Sequence, residues 1–262
     1  MRMGKKETIA AYLRRSGMFA DNAEIHAILS DGRVRVGNRI AYSPSFQFRP
    51  HTDQVCIDEK PVESQKSGVY IAMNKPRGII CQKNDAKARP SVWDYLIQKG
   101  LSKKMVNSLV SVGRLDVGTE GLLILTTDGR LAYRILQPRH NIMKEYYAVI
   151  SGEISDASMN LLRRGVNITV KEKGADLSFK TSPAKAYLIS RSPNQSELRI
   201  GIIEGKKNQV RLMLSAVGHK VNYLQRIAIG SLLLSHIPPV GYRIFAKEEI
   251  ERLSFGDQNK KD

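Results

Sequence analysis

Short apolar runs alternating with period two are interspersed, along this 262-residue chain, with segments whose apolar residues recur every three or four positions. No regular strand–helix–strand period links them. That pattern predicts an α+β fold with a largely antiparallel, mixed sheet flanked by helices, and argues against a doubly wound parallel sheet. Ile9 and Leu13 predict a helix ended by Gly17, and Ala23 to Leu29 a second one stopped by Gly32. Arg33-Val34-Arg35-Val36 alternates as a strand with its arginines on one side, Gly37-Asn38 is a turn, and Val55-Cys56-Ile57 is a closing strand. The polar stretch 64–68 reads as a linker. The expected organisation is a small N-terminal unit over 1–63, the linker 64–68, a larger domain over 69–255 and a disordered tail over 256–262. In the larger domain, strands are predicted at Val69–Met73, Leu109–Val112, Leu122–Leu125, Tyr146–Ile150, Val166–Val170, Ala184–Ile189 and Leu198–Ile203. Helices are predicted after Ser91, which has capping-box spacing to Asp94, after Asp128 and after Ser155, then over Asn208–Val217 and Lys247–Leu253.

Charge narrows the partners. Lys and Arg number 42 against 25 Asp and Glu, a formal net charge of +17 and a pI near 9.9. Such an excess points to a polyanion, nucleic acid before membrane, because phosphate contacts release counterions. Cys56 and Cys81 lack a C-x-x-C partner and the five histidines are scattered, so neither a zinc site nor a disulfide framework is expected. No apolar run reaches the roughly 20 residues of a membrane helix. Met1 leads into Lys5-Lys6-Glu7 without an apolar signal region. A cytoplasmic monomer without membrane contact is the expectation.

The richest stretch is Gly113-Arg114-Leu115-Asp116-Val117-Gly118-Thr119-Glu120-Gly121-Leu122-Leu123. A carboxylate stands between two buried strands in a glycine-rich turn, where a partner can approach the backbone closely. The stretch resembles the central motif of the pseudouridine synthases of the RsuA/RluB/RluE/RluF type, G-R-L-D-x-x-T-x-G-L-L, at every specified position. Ile71 to Gly78 resembles the family's strand ending in N-K-P-x-G, and Lys144-Glu145-Tyr146 its K-x-Y motif. Glu204-Gly205-Lys206-Lys207-Asn208-Gln209-Val210-Arg211 resembles E-G-[KR]-x-x-Q-[IV]-[RK]. Leu125 to Gly129, Leu224-Gln225-Arg226 with Ile229-Gly230, and Gly241-Tyr242-Arg243 with Glu248 and Leu253 extend the likeness over about 69–253.

The resemblance implies an enzyme that detaches a uracil, turns it and rejoins it through carbon 5, with no cofactor and no metal. It implies RNA, most naturally ribosomal RNA, as substrate. Asp116 would attack, Tyr146 would stack on the extruded base, and Arg211 would pair with Asp116 to keep it charged. Arg114 would fill the gap left by the flipped nucleotide. Lys75, Lys206, Lys207 and Arg226 would contact RNA. The N-terminal unit resembles the small RNA-binding domain named after ribosomal protein S-four, with Phe19-Ala20-Asp21-Asn22 where that family carries a basic run. Phosphate contacts there would fall to Arg14, Arg15, Arg33, Arg35 and Arg39. The competing expectation is a non-catalytic RNA-binding or ribosome-assembly factor on the same fold. A methyltransferase is disfavoured because no glycine-rich nucleotide loop follows a strand.

Overall fold

The computed structural model describes residues 6–19, 21–63, 68–83, 85, 87–172 and 175–252. Residues 64–67 of the expected linker 64–68, Leu253 and the tail lie outside the described residues.

The N-terminal unit forms two helices and two small sheets around its own core. Ile9–Ser16 is opened by the Thr8 hydroxyl, which accepts from the Ala11 amide, and Asn22–Ser30 by the Asp21 carboxylate, which accepts from the Glu24 amide. One turn apart, Ile9 and Leu13 pack with Ile25, Leu29, Val34 and Phe48. A four-stranded antiparallel sheet runs in the order Arg39–Ile40, Val34–Val36, Val55–Ile57, Lys60–Pro61, and Glu7–Thr8 pairs with Gln47–Phe48. The first helix ends in a left-handed Gly17 (φ 70°) pressed on the larger domain, where a Cβ would stand 2.0 Å from the Lys104 carbonyl oxygen. A side chain at position 17 would push the two units apart.

The larger domain is built on a nine-stranded sheet. Its path runs Lys185–Arg191, Gln195–Ile202, Lys144–Ser151, Val221–Ile229, Glu120–Thr126, Tyr70–Lys75, Gly241–Phe245, with Leu232–Leu233 and Val110–Ser111 paired at the side. All pairings are antiparallel except the central one, where Gln225 and Arg226 face Glu120 and Gly121 in parallel. The central strands are covered on both faces, which explains the unbroken apolar run Leu122-Leu123-Ile124-Leu125. One face meets Trp93, Leu96, Met213 and Leu214, and the other Leu131, Ile135, Phe245 and Ile250. Lys144–Ser151 is covered on one face and alternates strictly, turning Tyr146, Ala148 and Ile150 inward. The helix Val92–Gln98 carries the complete Ser91–Asp94 capping box. Gly129–Leu136 is capped by Asp128, Asp156–Arg164 by Ser155, and Gln209–Ala216 follows Asn208.

The strand Val221–Ile229 was not predicted. Its inward positions include Leu224, Arg226 and Ala228, so a charged side chain interrupts the apolar alternation that marks a strand. The helix Lys103–Ser108 and the strand Ala175–Lys180 also escaped prediction, being short in one case and largely exposed in the other. No described helix is long and apolar enough to cross a membrane.

Candidate active site

Asp116 sits on a turn immobilised from several sides. The carbonyls of four consecutive residues each accept a hydrogen bond. That of Asp116 takes the Thr119 amide at 3.0 Å, and that of Val117 the Gly78 amide at 2.9 Å. Arg211 donates from Nη2 to the Gly118 carbonyl at 3.0 Å and from Nη1 to that of Val221 at 3.2 Å. Lys75 Nζ donates to the carbonyls of Thr119 at 2.9 Å, Pro76 at 3.0 Å and Asp116 at 3.3 Å. Below the turn the buried Leu115 points into the core, and Gly121 (φ 104°) lets the following strand lie against Arg226, whose carbonyl oxygen would stand 2.3 Å from a Cβ there.

This geometry corrects two expectations. Lys75 is 0% exposed and meets backbone carbonyls, so it is an internal clamp on the Asp116 turn and no RNA contact. Burial pushes its ammonium below the ordinary lysine range, against the pull of Cys81, Asp116 and Glu120. Arg211 lies near enough to feel the charge of Asp116 but makes no ion pair with it among the described residues, its two nitrogens being engaged by the Gly118 and Val221 carbonyls. The carboxylate is met instead by Asn208. With its amide nitrogen turned toward Asp116, Asn208 donates to Oδ2 at 2.7 Å and to Oδ1 at 3.0 Å. Sequence reasoning passed over Asn208 because it occupies an unspecified position of the third motif.

The half-buried carboxylate opens on a cleft of about 200 Å³. A cavity of roughly 10–15 Å³ already holds one water, so the cleft has room for a small organic group. Tyr146, 9% exposed, forms one wall and is paired on the sheet with Arg226. Arg226 corrects a third expectation: at 3% exposure it is part of the cleft floor, bound from Nε to the Leu122 carbonyl at 2.7 Å, and out of reach of RNA phosphates passing over the surface. Its Nη2 and the Thr119 Oγ1 are buried and, among the described residues, without a hydrogen-bond partner. Lys144, 6% exposed, adds a second cation to the floor and donates to the Ile203 carbonyl at 3.1 Å. Burial, with the neighbouring charge of Arg226, pushes its ammonium down to about 8. Arg114 is exposed on one side of the mouth, Lys206 and Lys207 on the other, and Lys206 Nζ also lies over the Phe179 ring, 5.7 Å from its centre.

The N-terminal arginines are more occupied than their sequence suggests. Arg15 forks onto Glu7 at 2.5 and 2.7 Å, and half-buried Arg14 meets Asn22 Oδ1 at 2.7 and 3.2 Å in a crevice between the two units. Both therefore face protein partners. Arg33 pairs with Asp58 and Arg35 with Glu59 at the exposed surface, where such pairs are worth little and a phosphate can displace the carboxylate. Arg39 is exposed and lies 5.1 Å over the Phe46 ring.

The site thus sets a carboxylate in a cleft with cations on its floor and rim, an arrangement suited to a polar ring carried by a polyanion. The chain belongs to the RNA pseudouridylate synthase family, whose model matches residues 69–216. It is accordingly an enzyme of the kind that isomerises uridine to pseudouridine. It is 32% identical to an uncharacterised RNA pseudouridine synthase of Aquifex aeolicus over 94% of this chain and 92% of the relative. It is 31% identical to the ribosomal large subunit pseudouridine synthase B of Bacillus subtilis over 89% of this chain and 90% of the relative. A crystal structure of a pseudouridylate synthase superposes with a TM-score of 0.63 at 26% identity, covering 94% of this chain and 99% of that one.

Proposed function

We propose that this chain converts one uridine of ribosomal RNA to pseudouridine, with Asp116 as the attacking carboxylate. The observation that carries the reading is the Asp116 side chain, displayed on the cleft by a turn whose four consecutive carbonyls are all hydrogen-bonded. A base within a helix cannot reach that carboxylate, so the target nucleotide is flipped out, at a cost of a few kcal/mol. Arg114 at the mouth occupies the vacated position, its planar guanidinium able both to stack and to hydrogen-bond. Tyr146 packs against the extruded ring. The reaction needs no cofactor. Lys206 and Lys207 supply phosphate contacts on the far rim. The N-terminal unit acts as an S-four-like RNA-binding domain through Arg33, Arg35 and Arg39, and the enzyme works as a cytoplasmic monomer. The B. subtilis relative named as a large-subunit enzyme supports ribosomal RNA as the substrate class.

Carbodiimide primer-extension mapping of ribosomal RNA from cells with and without the gene tests this. The expected result is one stop present only when the gene is. Identical maps, together with RNA binding by the purified protein, would favour the non-catalytic binder.

A further inference from the structure

Asn208 precedes the helix Gln209–Ala216 and holds a left-handed backbone, φ 55° and ψ 20°. Asparagine tolerates that conformation better than most residues. It is also among the best N-cap residues, where its side-chain oxygen ordinarily accepts an amide of the first helical turn. Here no such cap forms. The surrounding turn is fixed without it, because Gln209 accepts from the Lys206 amide at 2.9 Å and donates to Glu204 Oε1 at 2.5 Å. The Asn208 amide is thereby left to face across the cleft, where one nitrogen reaches both oxygens of Asp116.

We propose that Asn208 is the positioning residue of the Asp116 carboxylate, a role the third motif suggested for Arg211. This rests on the reading of Asp116 as the group that starts the reaction. The charged groups around the carboxylate serve other contacts. Lys75 binds the backbone beneath it, Arg211 the Gly118 and Val221 carbonyls, and Arg226 and Lys144 the sheet floor. Arg114, Lys206 and Lys207 stand at the mouth, with Glu204 on the Asn208 turn. Among the described residues none forms an ion pair with Asp116. A neutral amide orients both oxygens while leaving the negative charge available to the sugar or base.

Two variants test this in the full chain. Asn208→Asp keeps the shape and the backbone preference but sets a carboxylate against a carboxylate. Asn208→Gly keeps the positive φ without strain and removes the donor. Single-turnover pseudouridine formation on a ribosomal RNA transcript, followed from pH 5 to 9 beside filter binding of the same RNA, reads the effect. In Asn208→Asp the acid limb of the rate profile moves up by about one pH unit or more, since like charges favour protonation. Asn208→Gly loses about 10- to 100-fold in rate, the equivalent of one hydrogen bond to a charged group. RNA affinity stays within about threefold in both. A second readout needs no activity: in urea, the midpoint loss from Asn208→Gly disappears in an Asp116→Ala background. Wild-type rates and limbs in both variants, or additive midpoint losses, overturn the proposal. Failure of the functional reading would show separately, as an unaltered protein that makes no pseudouridine while the urea coupling persists.

Discussion

Replacing Lys75 by methionine separates an internal clamp from an RNA contact. The side chain is wholly buried and its ammonium meets three carbonyls. Methionine fills similar space but donates nothing. The Asp116 carbonyl keeps the Thr119 amide, while those of Pro76 and Thr119 lose the lysine. The buried Thr119 carbonyl left without a partner costs about 1–3 kcal/mol, and the part-buried Pro76 carbonyl, within reach of water, less. Removing a cation whose burial already lowers its proton affinity offsets part of this. The net expectation is about 1–3 kcal/mol, a sizeable share of the roughly 5–15 kcal/mol that holds a domain together. Catalysis should suffer further, because a displacement of about 1 Å at the reacting group can cost about 100-fold. Urea unfolding and single-turnover kinetics on Lys75→Met measure the two effects, and a salt titration of RNA binding serves as control. A stable Lys75→Met protein with weakened RNA affinity and a shallower salt slope would refute the reasoning, since that is how a phosphate contact behaves.

Other outcomes follow from the same geometry. Gly121→Ala places a Cβ 2.3 Å from the Arg226 carbonyl oxygen at a φ of 104°, and should cost about 2–4 kcal/mol in urea unfolding. Gly118→Ala, whose Cβ would come no nearer than 3.8 Å to Arg211, should cost under about 1 kcal/mol. Lys144 carries a buried charge up to about pH 8, whereas in the unfolded chain it stays protonated to about 10.5. The unfolded state therefore binds more protons between these limits, so stability contributed by this group rises with pH across the window. Relative to Lys144→Met, the unaltered protein should gain stability between pH 8 and 10, measured by urea unfolding at fixed ionic strength.

Much of the architecture was legible because local signals and tertiary burial agree. The Ser91 capping box, the caps at Asp128 and Ser155, and the doubly covered run Leu122–Leu125 all say locally what the fold requires. The Asp116 turn was legible too, since glycines flank a carboxylate between two strands. The misreadings share one cause: a cation's partner is chosen by the fold. The resemblance implied an RNA contact for Lys75, yet the carbonyls of Pro76 and of the Asp116 turn hold its ammonium. The resemblance implied a pairing of Arg211 with Asp116, whereas helix Gln209–Ala216 aims it at the Gly118 and Val221 carbonyls. Arg226 concealed a nine-residue strand by placing a charge on its inward face. Asn208 bore no local sign of its role, because only the fold brings it across the cleft to Asp116.

The central claim is that one carboxylate performs the chemistry in a cleft that other residues merely shape. Single-turnover pseudouridine formation by Asp116→Asn, measured beside filter binding on the same ribosomal RNA transcript, tests it most directly. Asn has nearly the same size and leaves the turn's backbone bonds intact, so the account predicts RNA affinity within about twofold of the unaltered protein and no pseudouridine. Pseudouridine formed by Asp116→Asn at a comparable rate would contradict it.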